Sequence, residues 1–409
     1  MMMEENVIAR LKDIHSWVRE QLKSCLAFWG EHGLDREHGG VYTCLDRQGR
    51  VYSTDKSVWM QGRCAWTYAR ACRQYGEDPE ALEMMESCLN FLEAHCINRD
   101  KGGRMYFTVT EDGRPLRLRR YNFSEGFYAM ANAEAYLMTG KPEQLERARA
   151  AYEMIWQLNR DLADDPVGLG PKTIARTRTG RALADPMIYL NLTSVLRRAD
   201  QQRADVYDAR ARQCVHDIFA YHYKPDLGCT LESVGPQGEF CPEYTAGRTV
   251  NPGHVIECAW FLLEEANRLG DQAMHEKTQA MFRDAIRIGW DKEYGGILYF
   301  TDCLGKPQEA YEHDMKLWWP HNEAAIASLM AYRDTGKPEY LTWFFRVIDY
   351  CRTYFADPEH PEWYGYLRRD GVPTQPAVKG STFKGPFHLP RMLMMVDEML
   401  QGLLSDCPH

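Results

Sequence analysis

A segment suited to the start of a buried helix occurs six times along this chain, at steps of 63 to 68 residues. The six segments are marked by Gln61, Ser124, Met187, Gly253, His321 and His388. A fixed period of this length indicates repeated supersecondary units. Five of the six segments also carry a charged or titratable residue. Because equivalent positions of a closed ring face one centre, we expect these polar residues to meet there.

Two further features follow the same period. Gly-rich turns precede short alternating aromatic runs, as at Gly39-Gly40 and Gly295-Gly296, which is typical of β-hairpins. Helix-stop sequences with Gly followed by Pro occur at Gly140-Lys141-Pro142 and Gly336-Lys337-Pro338. The apolar residues between these marks fall at helical spacing. Each unit is therefore predicted to contain a helix, a turn, a second helix and a hairpin.

Six such units predict an all-α toroid, an (α/α)6 barrel of about twelve helices with short β-hairpins on one rim. No Pro/Ser/Gly-rich linker interrupts the 409 residues, so we expect a single domain spanning residues 1–409. The alternative is an open helical solenoid, whose residues would also recur at a fixed period. A solenoid gives no reason for titratable residues at matching helix starts, and we therefore favour the closed ring.

The composition argues against several classes of partner. Lys+Arg 49 against Asp+Glu 58 gives a net charge of -9, which disfavours nucleic acid and anionic membranes. Neither a signal peptide nor an apolar run long enough to span a bilayer is apparent. Most of the 13 cysteines, such as Cys64 and Cys258, fall within helical patterns, and no two have the short spacing of a zinc knuckle or redox pair. We therefore expect a cytoplasmic protein without a metal site.

Two histidines are the candidates for chemistry. His254 begins an inner helix, with Glu257 one turn further on the same face, and His388 occupies the equivalent place in the last repeat. A histidine with a pKa near neutrality can remove a proton from carbon and return one. Two histidines on opposite faces of a planar enediolate would therefore invert a stereocentre.

The same helix starts supply candidates for substrate binding. Arg63 lies in an apolar helix, where a charge is costly to bury without a function, and its guanidinium can hold a developing oxyanion. Glu257 and Glu323 can orient an imidazole or hold sugar hydroxyls. Trp319 can stack on a sugar ring and His321 lies beside it, although tryptophans in this segment also suit the core. Isolated histidines elsewhere are given structural roles; these are His15, His95, His216 and His313.

Four long motifs resemble those of the N-acylglucosamine 2-epimerase (renin-binding protein) family. They begin at Trp59, Asn251, Lys316 and Phe383 and read WMQGR, NPGHVIE, KLWWPHNEA and FKGPFHLPR. The resemblance extends from about Trp29 to Leu403. It implies an (α/α)6 barrel, usually a homodimer, that interconverts N-acetyl-D-glucosamine and N-acetyl-D-mannosamine.

The resemblance also implies roles for individual residues. His254 and His388 match the two catalytic histidines, Arg63 and Glu323 match residues essential to activity, and Glu257 matches a pocket carboxylate. Relatives that epimerise cellobiose or mannose, or isomerise mannose to fructose, usually carry a further histidine near Pro186-Met187-Ile188. The apolar Ile188 favours the amino sugar, while an unmodified sugar remains the alternative substrate.

The resemblance implies no cofactor for the chemistry, although animal and cyanobacterial members are stimulated by ATP without consuming it. The stretch Gly168-Leu169-Gly170-Pro171-Lys172-Thr173 lacks the four-residue gap that a phosphate-binding loop needs before Gly-Lys. The basic run Lys172, Arg176, Arg178 and Arg181 could hold an anion, but a solvated loop is the better interpretation. No nucleotide contacts are therefore assigned.

Two other function classes fit the toroid. A glycoside hydrolase needs two carboxylates flanking a bond, and Glu257 with Glu323 or Glu125 would supply them. A hydrolase would not need paired histidines. A non-catalytic binding protein is the second alternative, and the intact set of candidate polar residues argues against it.

Overall fold

The computed structural model describes residues 4–119, 121–160, 165, 168 and 180–405. This part of the chain contains twelve helices of 13 residues or more. They are α1 (Glu5–His32), α2 (Val58–Tyr75), α3 (Pro79–Phe91), α4 (Phe123–Thr139), α5 (Pro142–Arg160), α6 (Ala184–Ala199), α7 (Ala204–Asp217), α8 (Pro252–Leu269), α9 (Gln272–Gly289), α10 (Trp318–Thr335), α11 (Pro338–Tyr350) and α12 (His388–Ser405). A further four-residue helix, Thr245–Arg248, precedes α8.

The twelve helices form two concentric rings. The even-numbered helices α2 to α12 make the inner ring, in which each packs against the next, and the odd-numbered helices lie outside them. The last inner helix, α12, contacts both α1 and α2, so the ring is closed. The predicted (α/α)6 barrel is confirmed, and closure excludes the open solenoid.

Burial explains which helices lie inside. In α10, every residue from Trp318 to Tyr332 is buried, as expected for a helix surrounded by neighbours on all sides. The outer helix α1 is amphipathic instead. Its buried residues recur every three or four positions, as Leu11, Ile14, Val18, Leu22 and Cys25.

Thirteen short strands of the described chain pair antiparallel in the loops between units. They are β1 (Lys56–Ser57), β2 (Ile97–Asn98), β3 (Arg104–Met105), β4 (Thr108–Val109), β5 (Pro115–Arg117), β6 (Arg181–Ala182), β7 (Tyr223–Lys224), β8 (Cys229–Thr230), β9 (Ser233–Val234), β10 (Thr249–Val250), β11 (Thr301–Asp302), β12 (Lys316–Leu317) and β13 (Tyr366–Leu367). The sheets are β1-β4-β5, β2-β3, β6-β9, β7-β8, β10-β11 and β12-β13. Because these loops lead into the inner helices, the hairpins surround the rim where those helices begin.

Buried lysines hold the Gly-rich turns to the inner helices. Lys56 Nζ donates to Asp35 Oδ2 at 2.5 Å and to the Gly39 carbonyl at 2.7 Å. In a later repeat, Lys316 Nζ donates to Asp291 Oδ2 at 2.8 Å and to the Gly295 carbonyl. Both lysines are fully buried, so each requires these partners. The repeated ion pairs fix the hairpin rim relative to the helix starts.

The remaining local predictions concern turns, cysteines and one loop. Gly140 and Gly336 end their helices with φ of 71° and 67°, in the left-handed conformation expected of a C-cap. The described cysteines are unpaired and ten of the twelve are buried, as predicted for core residues.

No described helix is long and apolar enough to cross a membrane. Within the basic run, Lys172, Arg176 and Arg178 lie outside the described residues.

Candidate active site

A cavity of about 440 Å³ opens at the rim where the inner helices begin. This volume lies within the range typical of small-molecule sites. Among the sequence candidates, the lining residues are Arg63, His254, Glu257, Trp319 and His388. Glu323 lies directly behind this surface, fully buried and hydrogen bonded to His388. The repeats therefore bring these six residues together at one end of the barrel.

The start of α8 positions His254. Asn251 caps the helix, accepting the His254 N–H at 3.2 Å, and Pro252 occupies the first helical position. Gly253 then allows close packing, because a Cβ there would lie 2.6 Å from a ring atom of Trp319. His254 Nδ1 donates to Glu232 Oε1 at 3.0 Å, which leaves Nε2 as the unbound ring nitrogen.

The surroundings of His254 favour its protonated form. Its side chain is 27% exposed, and loss of hydration by itself would lower its pKa. The charge of Glu232 and the hydrogen bond to it outweigh this effect, so the pKa of His254 is raised above its usual value. His254 is therefore suited to deliver a proton.

His388 has the opposite environment. It is the first residue of α12, and its Nδ1 donates to Glu323 Oε1 at 2.7 Å, which leaves Nε2 as the acceptor. Burial lowers the pKa of His388 well below its usual value, and the charges of Arg391 and Arg63 act in the same direction. A neutral imidazole with a free Nε2 is suited to remove a proton.

Trp319 packs against both imidazoles. Its ring centroid is 5.2 Å from that of His254 and 5.8 Å from that of His388, at interplanar angles of 38° and 40°. Trp319 is 8% exposed and lines the cavity, so it faces whatever binds there. This arrangement can place one planar carbon centre within reach of two bases.

Arg391 joins the two carboxylates of the site. Its Nη2 donates to Glu257 Oε1 at 2.6 Å and to Glu323 Oε1 at 2.7 Å. The second oxygen of Glu323 accepts the indole N–H of Trp260 at 2.8 Å. The ligand atoms of Glu257, Glu323 and His388 lie within 4.8 Å of one another, as a metal site would require. A guanidinium, however, already supplies the positive charge between the two carboxylates.

Arg63 is held by aromatic rings rather than by a carboxylate. Its guanidinium carbon lies 4.2 Å from the Phe127 ring centroid and 4.7 Å from that of Phe387. Its Nε is buried without a hydrogen-bond partner among the described residues. Loss of hydration lowers the pKa of Arg63 to about 9, so the group remains charged at neutral pH. The guanidinium is therefore available to bind an oxyanion in the cavity.

His321 does not line the cavity, although the sequence suggests that it lies near the substrate. It is fully buried, its Nδ1 donates to the Leu317 carbonyl, and its Nε2 accepts the Ile297 N–H at 2.9 Å. Burial lowers the pKa of His321 to about 3. Since both ring nitrogens bind backbone groups, His321 fastens a hairpin to α10. Glu125, considered for a hydrolase, is likewise buried against Arg104 outside the cavity.

Two residues of the site are missed by the sequence argument. Arg391 follows His388 by three positions, so helical periodicity places it on the same face, and its position in an apolar helix is the signal that could have identified it. Glu232 lies between β8 and β9, and no motif or periodicity distinguishes it. Only the approach of this β8–β9 connection to α8 makes Glu232 the partner of His254.

The fold and the site define a class, that of sugar epimerases and isomerases built on a barrel of helical hairpins. A family model for N-acylglucosamine 2-epimerase matches residues 40–384. The chain therefore belongs to the N-acylglucosamine 2-epimerase family, and it is an isomerase. N-acylglucosamine 2-epimerase of Rattus norvegicus is 40% identical over 391 residues, which cover 95% of this chain and 92% of the rat protein.

Solved structures support the same architecture. Cellobiose 2-epimerase from Bacillus thermoamylovorans superposes with a TM-score of 0.82 at 19% identity, covering 95% of this chain and 99% of that one. A D-mannose isomerase superposes with a TM-score of 0.79 at 17% identity, covering 93% and 97% of the two chains. At such identities, the likeness establishes the fold alone.

Proposed function

We propose that the protein interconverts N-acetyl-D-glucosamine and N-acetyl-D-mannosamine by moving the C2 proton of the open-chain sugar between His254 and His388. The observation that carries this proposal is a pair of histidines at one cavity whose surroundings shift their pKa values in opposite directions. The 40% identity to the rat N-acylglucosamine 2-epimerase supports the choice of substrate.

The chemistry follows from the protonation states. Neutral His388 takes the C2 proton through Nε2, and protonated His254 gives a proton to the opposite face of C2 in the resulting enolate. In the reverse direction the two histidines exchange roles. The Arg63 guanidinium holds the negative charge that develops on the carbonyl oxygen, and Trp319 supports the planar carbon centre. General acid–base catalysis of this kind contributes about 100- to 10,000-fold in rate.

Glu232, Glu323 and Arg391 act through the histidines. Each carboxylate binds an Nδ1, which directs the corresponding Nε2 towards the cavity. Arg391 holds Glu323 and adds a positive charge beside His388, which favours the neutral imidazole. The two histidines therefore begin the reaction as one acid and one base.

Proton NMR in deuterated water tests the proposal. With N-acetyl-D-mannosamine, we expect loss of the C2 proton signal together with formation of N-acetyl-D-glucosamine that carries deuterium at C2. Unmodified mannose, glucose and cellobiose form the comparison panel. Turnover of unmodified sugars without turnover of either N-acetyl sugar would refute the proposed substrate.

An unmodified sugar is the second candidate substrate, because the fold also superposes on a cellobiose 2-epimerase and a D-mannose isomerase. Aldose-ketose isomerisation would appear in the same assay as a ketose product. Glycoside hydrolysis is disfavoured, because Glu257 and Glu323 both accept hydrogen bonds from one Arg391 nitrogen. That pairing leaves neither carboxylate arranged as an acid for a leaving group.

We further propose that the chain forms one domain and acts as a cytoplasmic homodimer. We also propose that the reaction needs no cofactor and that ATP activates the enzyme. Arg181, the described member of the basic run, stacks on Tyr221 and donates to the Pro236 carbonyl. Sedimentation of the purified protein tests the dimer, and steady-state rates with and without ATP test activation. A monomer, or a rate unchanged by ATP, would refute the corresponding proposal.

A further inference from the structure

Asn191 carries a buried side-chain amide that has no hydrogen-bond partner in the described part of the chain. It lies on the inner face of α6 and is 9% exposed, and its side chain makes no hydrogen bond with any described residue. Most buried side-chain amides in proteins are hydrogen bonded, because an unpaired donor or acceptor costs about 1–3 kcal/mol. An amide that is retained unpaired beside a cavity is available for a ligand.

The position of Asn191 is at the bottom of the substrate cavity. Asn191 and Met130, like Arg391, line this cavity and also a second cavity nearer the opposite end of the barrel. Both residues, like Phe261 on the neighbouring α8, lie about two turns into their helices. His254 and His388 lie in the first turns, so the amide is deeper than the reacting centre.

The chemistry of this lower part differs from that of the rim. Around Asn191 the lining is mostly apolar, supplied by Met130, Phe261 and, one turn nearer the rim, Met187. The charged group at this depth, Arg391, is paired with Glu257 and Glu323. The upper part contains the hydroxyls of Tyr299 and Tyr366 and the carboxylate of Glu312. A polyhydroxyl chain needs several polar partners, and the rim offers more of them than the lower part, where the Arg391 guanidinium already binds two carboxylates. An N-acyl group combines one amide with an apolar chain, and this combination matches the lower part.

We propose that Asn191 is a specificity-determining residue that hydrogen bonds the N-acyl amide of the substrate, with Met130, Met187 and Phe261 contacting the acyl chain. This inference rests on the proposed function. The side-chain amide of Asn191 offers a donor for the acyl carbonyl and an acceptor for the acyl N–H. The sugar hydroxyls then extend towards the rim, and C2 lies between them and Asn191, at the level of the histidines.

Asn191→Leu tests the proposal, because leucine has a similar size and lacks only the amide. The probes are two alditols that cannot react at C1, N-acetylglucosaminitol and glucitol, used as competitive inhibitors of epimerisation. In the variant we expect affinity for the acetylated alditol to fall about 3- to 10-fold, the value of one hydrogen bond. Affinity for glucitol should change less than twofold.

Ser194→Ala is the matched control. Ser194 lies one turn further along α6 and lines only the second cavity. Its substitution should leave both inhibition constants unchanged. The melting temperature of Asn191→Leu should equal or exceed that of the wild type, because no hydrogen bond is lost in the free protein. A structural role for Asn191 would instead lower the melting temperature.

The outcomes separate the two proposals. If wild-type protein epimerises no N-acyl sugar, the proposed function fails. If it does so, but Asn191→Leu weakens the binding of both alditols equally or of neither, the assignment of Asn191 fails while the proposed function stands. Selectively weaker binding of the acetylated alditol supports the assignment.

Rates with N-propanoylmannosamine and N-acetylmannosamine test the acyl contacts, since Met187→Ala should favour the longer acyl chain.

Discussion

His254 and Glu232 form a hydrogen bond of 3.0 Å between Nδ1 and Oε1, although 22 residues separate them in the sequence. The bond sets both the direction of the imidazole and its affinity for a proton. Replacing Glu232 by Gln should lower the pKa of His254, because the charge that raises it is lost. We expect kcat/KM to fall by roughly 10- to 100-fold, part of the contribution typical of a general acid or base.

The pH profile of Glu232→Gln gives a sharper test. In the direction that uses protonated His254, activity falls as pH rises through the pKa of His254. Because the variant lowers this pKa, the alkaline limb of its pH–rate profile should move to lower pH. In the reverse direction, which needs neutral His254, the acid limb should also move to lower pH. Glu232→Asp should retain the wild-type limbs. Limbs of Glu232→Gln that stay in place would show that His254 does not titrate in catalysis.

Single replacement of His254 or His388 by Asn should abolish net epimerisation, because the second proton transfer loses its agent. Each variant should still exchange deuterium into one epimer, from which the remaining histidine can take and return a proton on the same face. The two variants should prefer opposite epimers in proton NMR. Equal exchange into both epimers by either variant would indicate one mobile base.

Arg63→Met should separate binding from stability. The guanidinium has aromatic neighbours but no described hydrogen-bond acceptor, so its removal should not weaken the fold and should raise the free energy of unfolding by about 1 kcal/mol. Activity should fall about 100- to 1,000-fold, as for loss of an oxyanion donor. Urea denaturation and steady-state kinetics measure the two effects. Phe387→Leu is a control that keeps the charge.

Activity should survive exhaustive chelation with EDTA. Glu257, Glu323 and His388 have the mutual distances of a metal site, but Arg391 already binds both carboxylates. Metal analysis of the purified protein provides a second readout. Loss of activity that zinc or manganese restores would contradict the two-histidine mechanism.

Asp35 should make the fold sensitive to acid. Its hydrogen bond from Lys56, with those from backbone N–H groups, overcomes burial and lowers the pKa of Asp35 to about 2. A lowered carboxyl pKa stabilises the folded state above its unfolded value near 3.8, and this contribution is lost as pH falls from about 4 to 2. Burial also lowers the pKa of Lys56, so the net contribution is at most about 2 kcal/mol.

Asp35→Asn should therefore lower the free energy of unfolding at pH 7 and flatten its decline between pH 4 and 2. Urea denaturation at several pH values measures both effects. Asp46→Asn, on the same rim but more exposed, is the matched control and should change stability less. An acid dependence that is unchanged in Asp35→Asn would refute the contribution assigned to this ion pair.

The repeat period by itself determined the architecture. Steps of 63 to 68 residues, Gly-Pro helix stops and Gly-rich turns are local features, and each specifies a local conformation whatever the rest of the chain does. The start of each inner helix could therefore be read from the sequence. Since a ring directs equivalent positions to one centre, the cavity residues His254, His388, Arg63 and Glu257 could be predicted as well.

Tertiary structure decided what the individual side chains face. His321 has the same place in its repeat as His388 has in the last one, yet it bonds backbone groups in the core while His388 reaches the cavity. Glu232 joins the site only because the connection between β8 and β9 approaches the start of α8. Burial and the charges of Arg391 and Arg63 lower the pKa of His388, whereas the charge of Glu232, on another element, raises that of His254. Burial and electrostatic interactions depend on distances in space, and the sequence does not contain those distances before the ring closes.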